Sequence, residues 1–519
     1  MKPIFTLPLL LPGLLQPGEP PRPKQPNIIM FLVDDMGWQD TSVPFWSQRT
    51  PFNNRYRTPN MERLAKQGIK FTQAYACSVS SPTRISLMTG MNAARHRVTN
   101  WTLQSDGSQE SKHPTLDLPA WNVSGLSQDP LTPRSVFATP LPCILQEHGY
   151  FTIHCGKAHL GAIGTPGADP LNLGFQINIA GHAAGAPQSY QGLKNFGYDE
   201  NAYPGNIWGV PGLSKYHGKD INLTEALTLE AELAMDSALT TGKPFFLYMA
   251  HYAVHAPLER DTRFAANYEG TGLPEPEIRY ASMVESMDKS LGDLMDYLEK
   301  KGLDKNTIII FMSDNGGLSV SARGGEPNTH NRPLASGKGS AYEGGIREPL
   351  LVKWPGVTEA ESITDEPVII EDFFPTILEM AGINKFKARQ VIDGESFCSI
   401  LKNRRGVGKD VNPNNMDGRA FVWHFPNWWG PTGPGIGATS SIRLGNYKLI
   451  YYHVDQSFEL FDINMDIGET QNLFKEKPDI ARLLAKKLGN QLRLEKAQMP
   501  VIRATGQAVP WPDETIEMH

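Results

Sequence analysis

Cysteine is scarce in this 519-residue chain, which contains only Cys77, Cys143, Cys155 and Cys398. Four cysteines spread over this length do not make a disulfide framework, and their spacing matches no zinc motif. A strong excess of one charge is also missing, because 49 Lys and Arg stand against 55 Asp and Glu and leave a formal net charge of -6. Such a chain has no general attraction for nucleic acid or for an anionic membrane. The sequence therefore argues against a disulfide scaffold and against a nucleic-acid-binding protein.

Long hydrophobic runs are absent as well. At the N-terminus, Lys2 precedes an apolar stretch over residues 4–15 that is too short to span a bilayer. This order is typical of a secretory signal peptide, although Pro8 and Pro12 interrupt the stretch and no clear small-x-small cleavage site follows. We expect a signal peptide over residues 1–22, no stable membrane span, and export to the periplasm or the cell surface of a bacterium.

The remaining composition, 40% hydrophobic and 20% charged, is that of a globular protein. Two apolar runs, residues 27–33 (NIIMFLV) and 307–313 (TIIIFMS), are typical of strands buried on both faces of a sheet. An amphipathic pattern over residues 278–301 precedes the second run and predicts a crossover helix. Thr58, as an N-cap, predicts the start of another helix, which should end at Gly68. These elements predict an α/β fold.

The pattern changes after about residue 403. Strand-like segments alternate with turns and are followed by a helical segment over residues 478–495. We therefore predict a large α/β domain over residues 25–403 and a small C-terminal α+β subdomain over residues 404–519.

Polar pairs directly follow both buried strands, namely Asp34-Asp35 and Asp314-Asn315. Ligand sites in open α/β sheets form outside the carboxyl ends of the strands, so these residues are candidates for a site. Three carboxylates and one amide oxygen are ligands for a hard cation, Ca²⁺ or Mg²⁺. The alternative is that each pair simply caps a turn at the end of a strand.

A third segment, residues 77–90 (CSVSSPTRISLMTG), contains Ser80, Pro82 and Arg84 at the start of a predicted helix. Its Ser-x-Pro-x-Arg pattern, followed by Thr-Gly, resembles the signature of the type I, formylglycine-dependent sulfatases of the alkaline phosphatase superfamily. In that family the first residue is Cys or Ser and is oxidised to the catalytic aldehyde. The alternative for so short a pattern is a solvated turn with a capping serine.

Further blocks extend the resemblance over about residues 27–473. They are CGKAHLG (155–161), HYAVHAPLE (251–259), SDNGG (313–317), GKGSAYEGGIREPLLVKWPG (337–356) and FELFDINMDIGETQNL (458–473). The resemblance implies an alkaline phosphatase-like α/β/α sandwich with a mostly parallel mixed sheet, together with the small C-terminal subdomain. One departure is Ala158, which stands where the family often has a tryptophan.

The resemblance also implies a role for each matched residue. Ser80, converted to formylglycine and hydrated, would be the nucleophile of a reaction that passes through a sulfo-enzyme intermediate. One Ca²⁺, with Mg²⁺ as the alternative, would be bound by Asp34, Asp35, Asp314, Asn315 and the converted Ser80. The other catalytic residues would be Arg84 to orient the diol, Lys157 and Lys338 to contact sulfate oxygens, His255 to protonate the leaving oxygen, and His159 to expel sulfate.

A serine at position 80 implies a further partner, a radical-type maturation enzyme that installs formylglycine without oxygen. A serine that replaced a native cysteine would instead leave an inactive protein. The sequence leaves both alternatives open.

The expected substrate is a sulfated carbohydrate of the galactose or N-acetylhexosamine type. Candidate substrate-binding residues are able to stack on a sugar or to hydrogen-bond its polar groups, and they are His182, Asn331, Arg332, His424 and Trp428. Trp429 is a further residue of the type that stacks on sugars and could line the same saccharide subsite. The adjacent tryptophans Trp428 and Trp429 could instead cover the seam between the subdomains.

Two other functions compete with a sulfatase. A phosphomonoester or phosphonate hydrolase of the same superfamily would use a similar acidic cage. A two-metal phosphatase, however, would need more His and Asp ligands near its nucleophile, whereas this sequence offers a single four-ligand cage accompanied by Arg84, Lys157 and Lys338. A non-catalytic protein that binds sulfated glycans would keep the pocket and lack the aldehyde.

Overall fold

The computed structural model describes residues 25–201, 206–402 and 418–518. The expected signal peptide (1–22) and the expected boundary between residues 403 and 404 lie outside the described residues. The strands are β1 (Asn27–Val33), β2 (Ile69–Tyr75), β3 (Leu116–Asp117), β4 (Gly125–Ser127), β5 (Ser135–Phe137), β6 (Phe151–Gly156), β7 (Ile177–Ile179), β8 (Phe245–Ala250), β9 (Thr307–Ser313), β10 (Arg347–Lys353), β11 (Ser362–Thr364), β12 (Val368–Ile369), β13 (Phe421–Phe425), β14 (Thr439–Leu444), β15 (Tyr447–Tyr452), β16 (Phe458–Asp462), β17 (Val501–Ile502) and β18 (Gln507–Ala508). The α-helices are α1 (Pro51–Arg55), α2 (Pro59–Gln67), α3 (Ser80–Thr89), α4 (Ala93–His96), α5 (Leu141–Glu147), α6 (Leu223–Thr240), α7 (Glu275–Lys300), α8 (Glu343–Ile346), α9 (Phe373–Met380), α10 (Cys398–Lys402), α11 (Pro478–Leu494) and α12 (Pro512–Ile516).

A mixed sheet, with nine strands among the described residues, forms the centre of the large domain. Its order is β11-β2-β10-β9-β1-β8-β6-β7, and β12 also pairs with β2. All of its pairs are parallel except those that β10 makes with β2 and β9. The two predicted buried strands are neighbours, in register from Asn27 opposite Thr307 to Val33 opposite Ser313. The predicted mostly parallel mixed sheet is confirmed.

The central strand β1 is covered on both faces of the sheet. All seven of its residues are buried, and because successive side chains of a strand point to opposite faces, they enter two separate cores. Met30 belongs to the core that includes residues of α3, α5 and α9. Phe31 belongs to the core that includes residues of α2, α6 and α7. The large domain is therefore an α/β/α sandwich, as expected.

One edge of the sandwich collects the segments that the sequence singled out. Strands β1, β2, β6, β8 and β9 all end at this edge, and the antiparallel strand β10 begins there. Each predicted catalytic or metal-binding residue lies in a segment that follows one of these parallel strands or precedes β10. The topology alone therefore brings distant parts of the sequence together.

The C-terminal subdomain consists of a four-stranded antiparallel sheet, β13-β14-β15-β16, and the helix α11. Leu484 and Leu488 of α11 share a core with Ile442 of the sheet, which confirms the predicted α+β character. The subdomain is joined to the large domain, because Trp423 of β13 enters the core beneath the large sheet and β17 pairs with β3.

Two boundaries differ from the sequence-based expectation. Helix α7 begins at Glu275, three residues before the predicted start. Thr58 occupies the N-cap position of α2, but its side chain makes no capping hydrogen bond. Its hydroxyl lies 2.8 Å from Thr41 Oγ1 and accepts a 2.8 Å hydrogen bond from Ser42 N. A contact with the segment after β1 has replaced the expected cap.

Helix α7 has 26 residues, which is enough to cross a bilayer, but charged residues occur along its length. Within the part of the chain that the structure describes, no helix has the length and apolar character that a membrane span requires.

Candidate active site

Ser80 is the first residue of α3, which starts shortly after the chain leaves β2. Its Oγ lies 3.3 Å from Asp34 Oδ1 and 3.2 Å from Asn315 Oδ1, and it accepts a 3.1 Å hydrogen bond from Lys157 Nζ. These three partners follow three different strands of the sheet, β1, β9 and β6. One hydroxyl thus lies at the meeting point of the segments that the sequence analysis selected.

The acidic residues form a single cluster around this hydroxyl. Asp34, Asp35, Asp314 and Asn315 all have no exposed surface. Asn315 Nδ2 donates to Asp35 Oδ1 at 2.8 Å, and Asp35 N donates to Asp314 Oδ1 at 3.2 Å. Asp35 has a φ of 61°, in the left-handed region that residues other than glycine seldom adopt. Backbone strain of this kind occurs frequently at functional sites.

Each of the three carboxylates is paired with one buried cation. The pairs are Arg84 Nη2 with Asp314 Oδ2 at 2.8 Å, Lys157 Nζ with Asp34 Oδ2 at 2.7 Å, and Lys338 Nζ with Asp35 Oδ1 at 2.6 Å. Arg84 Nη1 also donates to the Lys157 carbonyl at 3.0 Å, so the helix α3 is linked to the segment after β6.

Burial and charge together determine the protonation of these groups. Burial raises the pKa of Asp34 and lowers the pKa of Lys157, while the ion pair between them opposes both shifts. For Asp35, burial alone would raise the pKa, but Lys338 and His255 hold it well below its ordinary value. The protonation of these buried carboxylates therefore depends on the cations that lie next to them.

The two histidines have different surroundings. His255 Nε2 lies 3.6 Å from Asp35 Oδ2, and burial, followed by Lys338, lowers the His255 pKa to about 3. His159 Nε2 donates to Thr102 O at 2.9 Å. Burial and then Lys157 lower the His159 pKa well below its ordinary value, and no hydrogen-bond partner for its Nδ1 is found among the described residues. A neutral imidazole with an unshared nitrogen is able to accept a proton.

The acidic cluster fits a hard metal ion. Asp34, Asp35 and His255 each offer a ligand atom, and these atoms lie within 4.8 Å of one another. Asp35 Oδ2 is buried and has no hydrogen-bond partner in the described chain. Because carboxylate and amide oxygens predominate in the cluster, its donor set suits Ca²⁺ or Mg²⁺ better than a thiophilic metal.

A cavity of about 400 Å³ opens above the cluster. Its floor is formed by Ser80, Lys157, His159, His255 and Lys338. We call the other lining residues the wall, and they are Val79, Trp101, Gly185, Ala186, Trp208, Leu318, Trp429 and Pro431. Five of the six residues predicted to be catalytic thus line one cavity, and the sixth, Arg84, lies buried behind them.

None of the five sequence-predicted substrate-binding residues is among the described residues that line this cavity. Four of the side chains make other contacts, and Arg332 is exposed. His182 Nδ1 lies 3.0 Å from Tyr252 OH, and Asn331 donates to the carbonyls of Gly317 and Ser336. His424 contacts Ser440 Oγ at 2.8 Å, and the Trp428 ring packs edge-on against His113. Polar and aromatic residues near such an edge are as able to fix the surrounding segments as to bind a ligand.

The sequence analysis did not select Trp101 or Trp208, although both line the cavity. The only available signal was their position in long segments with little periodicity, where binding residues often occur.

A second buried ion cluster lies behind the segment after β1. Arg323 has no exposed surface, and it donates from Nη1 to Asp40 Oδ2 at 2.9 Å and from Nε to Glu277 Oε2 at 3.0 Å. Its guanidinium carbon lies 3.8 Å from the centre of the Tyr280 ring. Tyr280 OH in turn donates to Asp35 O at 3.2 Å. This cluster attaches the acidic segment to α7.

Comparisons with known proteins identify the family to which the chain belongs. The sulfatase family profile matches residues 26–383, and a profile described as N-sulphoglucosamine sulphohydrolase, C-terminal, matches residues 337–498. A sulfatase of Formosa agariphila is 29% identical over 513 residues, which cover 91% of this chain and 88% of that protein. The N-acetylgalactosamine-6-sulfatase of Mus musculus is 32% identical over 477 residues, which cover 89% and 78%. The crystal structure of Ps i-CgsB in complex with k-i-k-neocarrahexaose has a TM-score of 0.68 and 26% identity, with coverage of 95% of this chain and 97% of that chain.

Proposed function

Because the chain belongs to the sulfatase family and is a sulfuric ester hydrolase, we propose that it hydrolyses O-sulfate esters of carbohydrates and that Ser80, once oxidised to formylglycine, provides the nucleophile. The observation that carries this proposal is the position of the Ser80 hydroxyl. It lies at the floor of the cavity, within 3.3 Å of Asp34 Oδ1 and Asn315 Oδ1 and within hydrogen-bond distance of Lys157. Hydrated formylglycine would supply a diol oxygen as the attacking group.

A carbohydrate substrate is supported by two of the compared proteins. One is named N-acetylgalactosamine-6-sulfatase, and the other, Ps i-CgsB, was crystallised in complex with k-i-k-neocarrahexaose. We infer a sulfated sugar of the galactose or N-acetylhexosamine type.

The charged residues of the floor have separate tasks in this proposal. A sulfate ester is an anion, so Lys157 and Lys338, which both line the cavity, would contact its oxygens. Arg84, held by Asp314, would orient the nucleophile from behind. His255, whose lowered pKa means that it would first take up a proton from water, would give that proton to the departing sugar oxygen. His159, whose Nδ1 is unshared among the described residues, would accept a proton when sulfate is expelled.

The metal residues are proposed in the same way. Asp34, Asp35, Asp314 and Asn315, together with the converted Ser80, would hold one Ca²⁺, which would supply Lewis-acid stabilisation of the sulfate charge.

We also propose the remaining expectations as they follow from the sequence. Residues 1–22 direct export, residues 25–403 form the catalytic domain, and residues 404–519 form the C-terminal subdomain. A radical-type maturation enzyme oxidises Ser80 before the protein is active.

The mass of the tryptic peptide over residues 71–84 tests the nucleophile. Oxidation of serine to formylglycine removes two hydrogens, about 2 Da, and creates an aldehyde that hydrazine reagents trap. We expect protein purified from its own host to show this loss at Ser80, with Ser78 and Ser81 of the same peptide as unchanged internal controls. An unshifted, untrappable peptide would require the assignment of Ser80 to be withdrawn.

A further inference from the structure

Three tryptophans dominate the wall of the cavity. Trp101, Trp208 and Trp429 are half-buried, and each contributes to the lining. Aromatic rings offer apolar faces that stack on the ring of a bound sugar, and the indole N–H is a hydrogen-bond donor.

Trp429 connects the wall to the floor. A Cβ added at Gly339 would come within 2.5 Å of Trp429 Cδ1, so the indole lies directly against the backbone beside Lys338. Lys338 Nζ lies 5.8 Å from the centre of the Trp429 ring. A sulfate bound at Lys338 would therefore place its ester group next to the Trp429 ring.

The wall carries no charge. Lys157 and Lys338 are the lysines of the described lining, and each is paired with a carboxylate of the acidic cluster, Asp34 and Asp35 respectively. Among the described lining residues, a second sulfate or a carboxylate on the same sugar ring would meet tryptophan, leucine and proline side chains and no cation. Burial of an unpaired charge is strongly unfavourable, so the wall would reject such a ring.

One carboxylate holds two parts of this wall together. Glu110 Oε2 accepts from Asn100 Nδ2 at 3.2 Å and from Trp428 N at 2.9 Å. Glu110 Oε1 accepts from Asn427 Nδ2 at 3.0 Å. Asn100 precedes Trp101 and Trp428 precedes Trp429, so Glu110 links the two loops next to the tryptophans that line the cavity.

We propose that this tryptophan wall restricts the cavity to a neutral sugar ring that carries one sulfate, and that Glu110 is the positioning residue that holds Trp101 and Trp429 in place. The inference rests on the proposed function, because it assumes that a sulfate ester occupies the floor.

Binding measurements on unconverted protein test the wall without turnover. The protein is made without a maturation enzyme, kept in Ca²⁺ buffer, and titrated calorimetrically with galactose 6-sulfate, N-acetylgalactosamine 6-sulfate, N-acetylgalactosamine 4,6-disulfate and inorganic sulfate. We expect at least one monosulfated sugar to bind about tenfold more tightly than the disulfated sugar. Equal or tighter binding of the disulfate, or no binding of either monosulfated sugar, would overturn the proposal.

Variants separate the wall from the floor. Glu110→Ala and Trp429→Ala should each raise the Kd of the monosulfated sugar about tenfold and leave the Kd of inorganic sulfate unchanged. The Kd of Glu110→Gln for the monosulfated sugar should lie between the values of these two variants and that of the unaltered protein. The amide oxygen would still accept hydrogen bonds, whereas the amide nitrogen would face N–H donors. Glu379→Ala is the matched control, since Glu379 also links two segments, through Ser396 Oγ at 2.5 Å and Lys402 Nζ at 2.6 Å, but does not line the cavity.

The two proposals fail in different ways. If Glu110→Ala and Trp429→Ala leave sugar binding unchanged, or weaken sulfate as much as sugar, the wall proposal is wrong whatever the enzyme hydrolyses. If the matured protein hydrolyses neither 4-nitrophenyl sulfate nor the monosulfated sugars, the proposed nucleophile is wrong, while the binding results still decide the role of the wall.

Discussion

The floor and the wall of the cavity are built in opposite ways. Floor residues lie in segments that follow strand ends or precede β10, are mostly buried, and are held by ion pairs with the acidic cluster, such as Lys157 with Asp34 at 2.7 Å. Wall residues come from loops, are mostly apolar, and two of the loops depend on the single carboxylate of Glu110. The sheet topology therefore fixes the chemistry, whereas the loops are free to determine which ring is accepted.

Replacement of the floor nucleophile should have the largest effect. We expect Ser80→Ala to lower kcat by about 10⁴-fold or more, because the remaining residues cannot supply a covalent path. Hydrolysis of 4-nitrophenyl sulfate by protein matured with its radical enzyme measures this loss.

Ser78→Ala is the control for this variant, because Ser78 precedes α3 by two residues. Its backbone oxygen accepts a 2.8 Å hydrogen bond from Gly339 N, and its hydroxyl makes no hydrogen bond to another described residue. Its activity should be unchanged. Substantial turnover by Ser80→Ala would mean that another group of the floor is the nucleophile.

Removal of the metal should affect catalysis at the floor much more than sugar binding at the wall. Chelation with EGTA should lower kcat about 100-fold and lower the melting temperature by several degrees, because three buried carboxylates lose a shared cation. Added Ca²⁺ should restore both values, and binding of the neutral ring to the wall should change least. Identical melting curves with and without EGTA would contradict the metal assignment.

The ion cluster behind the floor should contribute mainly to stability. Arg323→Met leaves Asp40 and Glu277 buried with a lost partner, so we expect a decrease of about 3–5 kcal/mol in the free energy of unfolding. Arg482→Met removes an exposed pair with Asp479 and should cost less than about 1 kcal/mol. Urea denaturation of both variants gives the comparison, and similar losses would show that burial of the cluster does not matter.

The acidic cluster beneath the floor could be predicted from the sequence, because its positions follow from the strands. The apolar runs 27–33 and 307–313 predict buried strands. The parallel register of Val33 with Ser313 then places Asp34 next to Asp314. Ser80 and Lys157 needed the family resemblance, since nothing in their local pattern indicates which strand end they will meet. Their catalytic roles stay predictions.

The wall could not be predicted, because it depends on how loops from distant segments fold back. Trp428 and Trp429 are adjacent, yet Trp428 packs against His113 at 4.7 Å between ring centres while Trp429 lines the cavity. Two neighbouring positions in one loop thus differ, because one side chain packs against the protein and the next one lines the cavity. Trp208 comes from another loop, and no periodicity marks either segment.

The smallest effect on activity is expected for replacement of Gly185, a wall residue that lies against His159 of the floor. A Cβ at this position would come within 2.4 Å of His159 Cε1 and 2.6 Å of its Nδ1, so Gly185→Ala must displace the imidazole from Thr102. We expect kcat to fall about tenfold, with little change in KM, because proton transfer requires the ring in its present position. Gly107→Ala, which would meet no atom within 4 Å, is the control. Normal kcat in Gly185→Ala would show that His159 tolerates displacement, and the role of proton acceptor would then pass to another group of the floor.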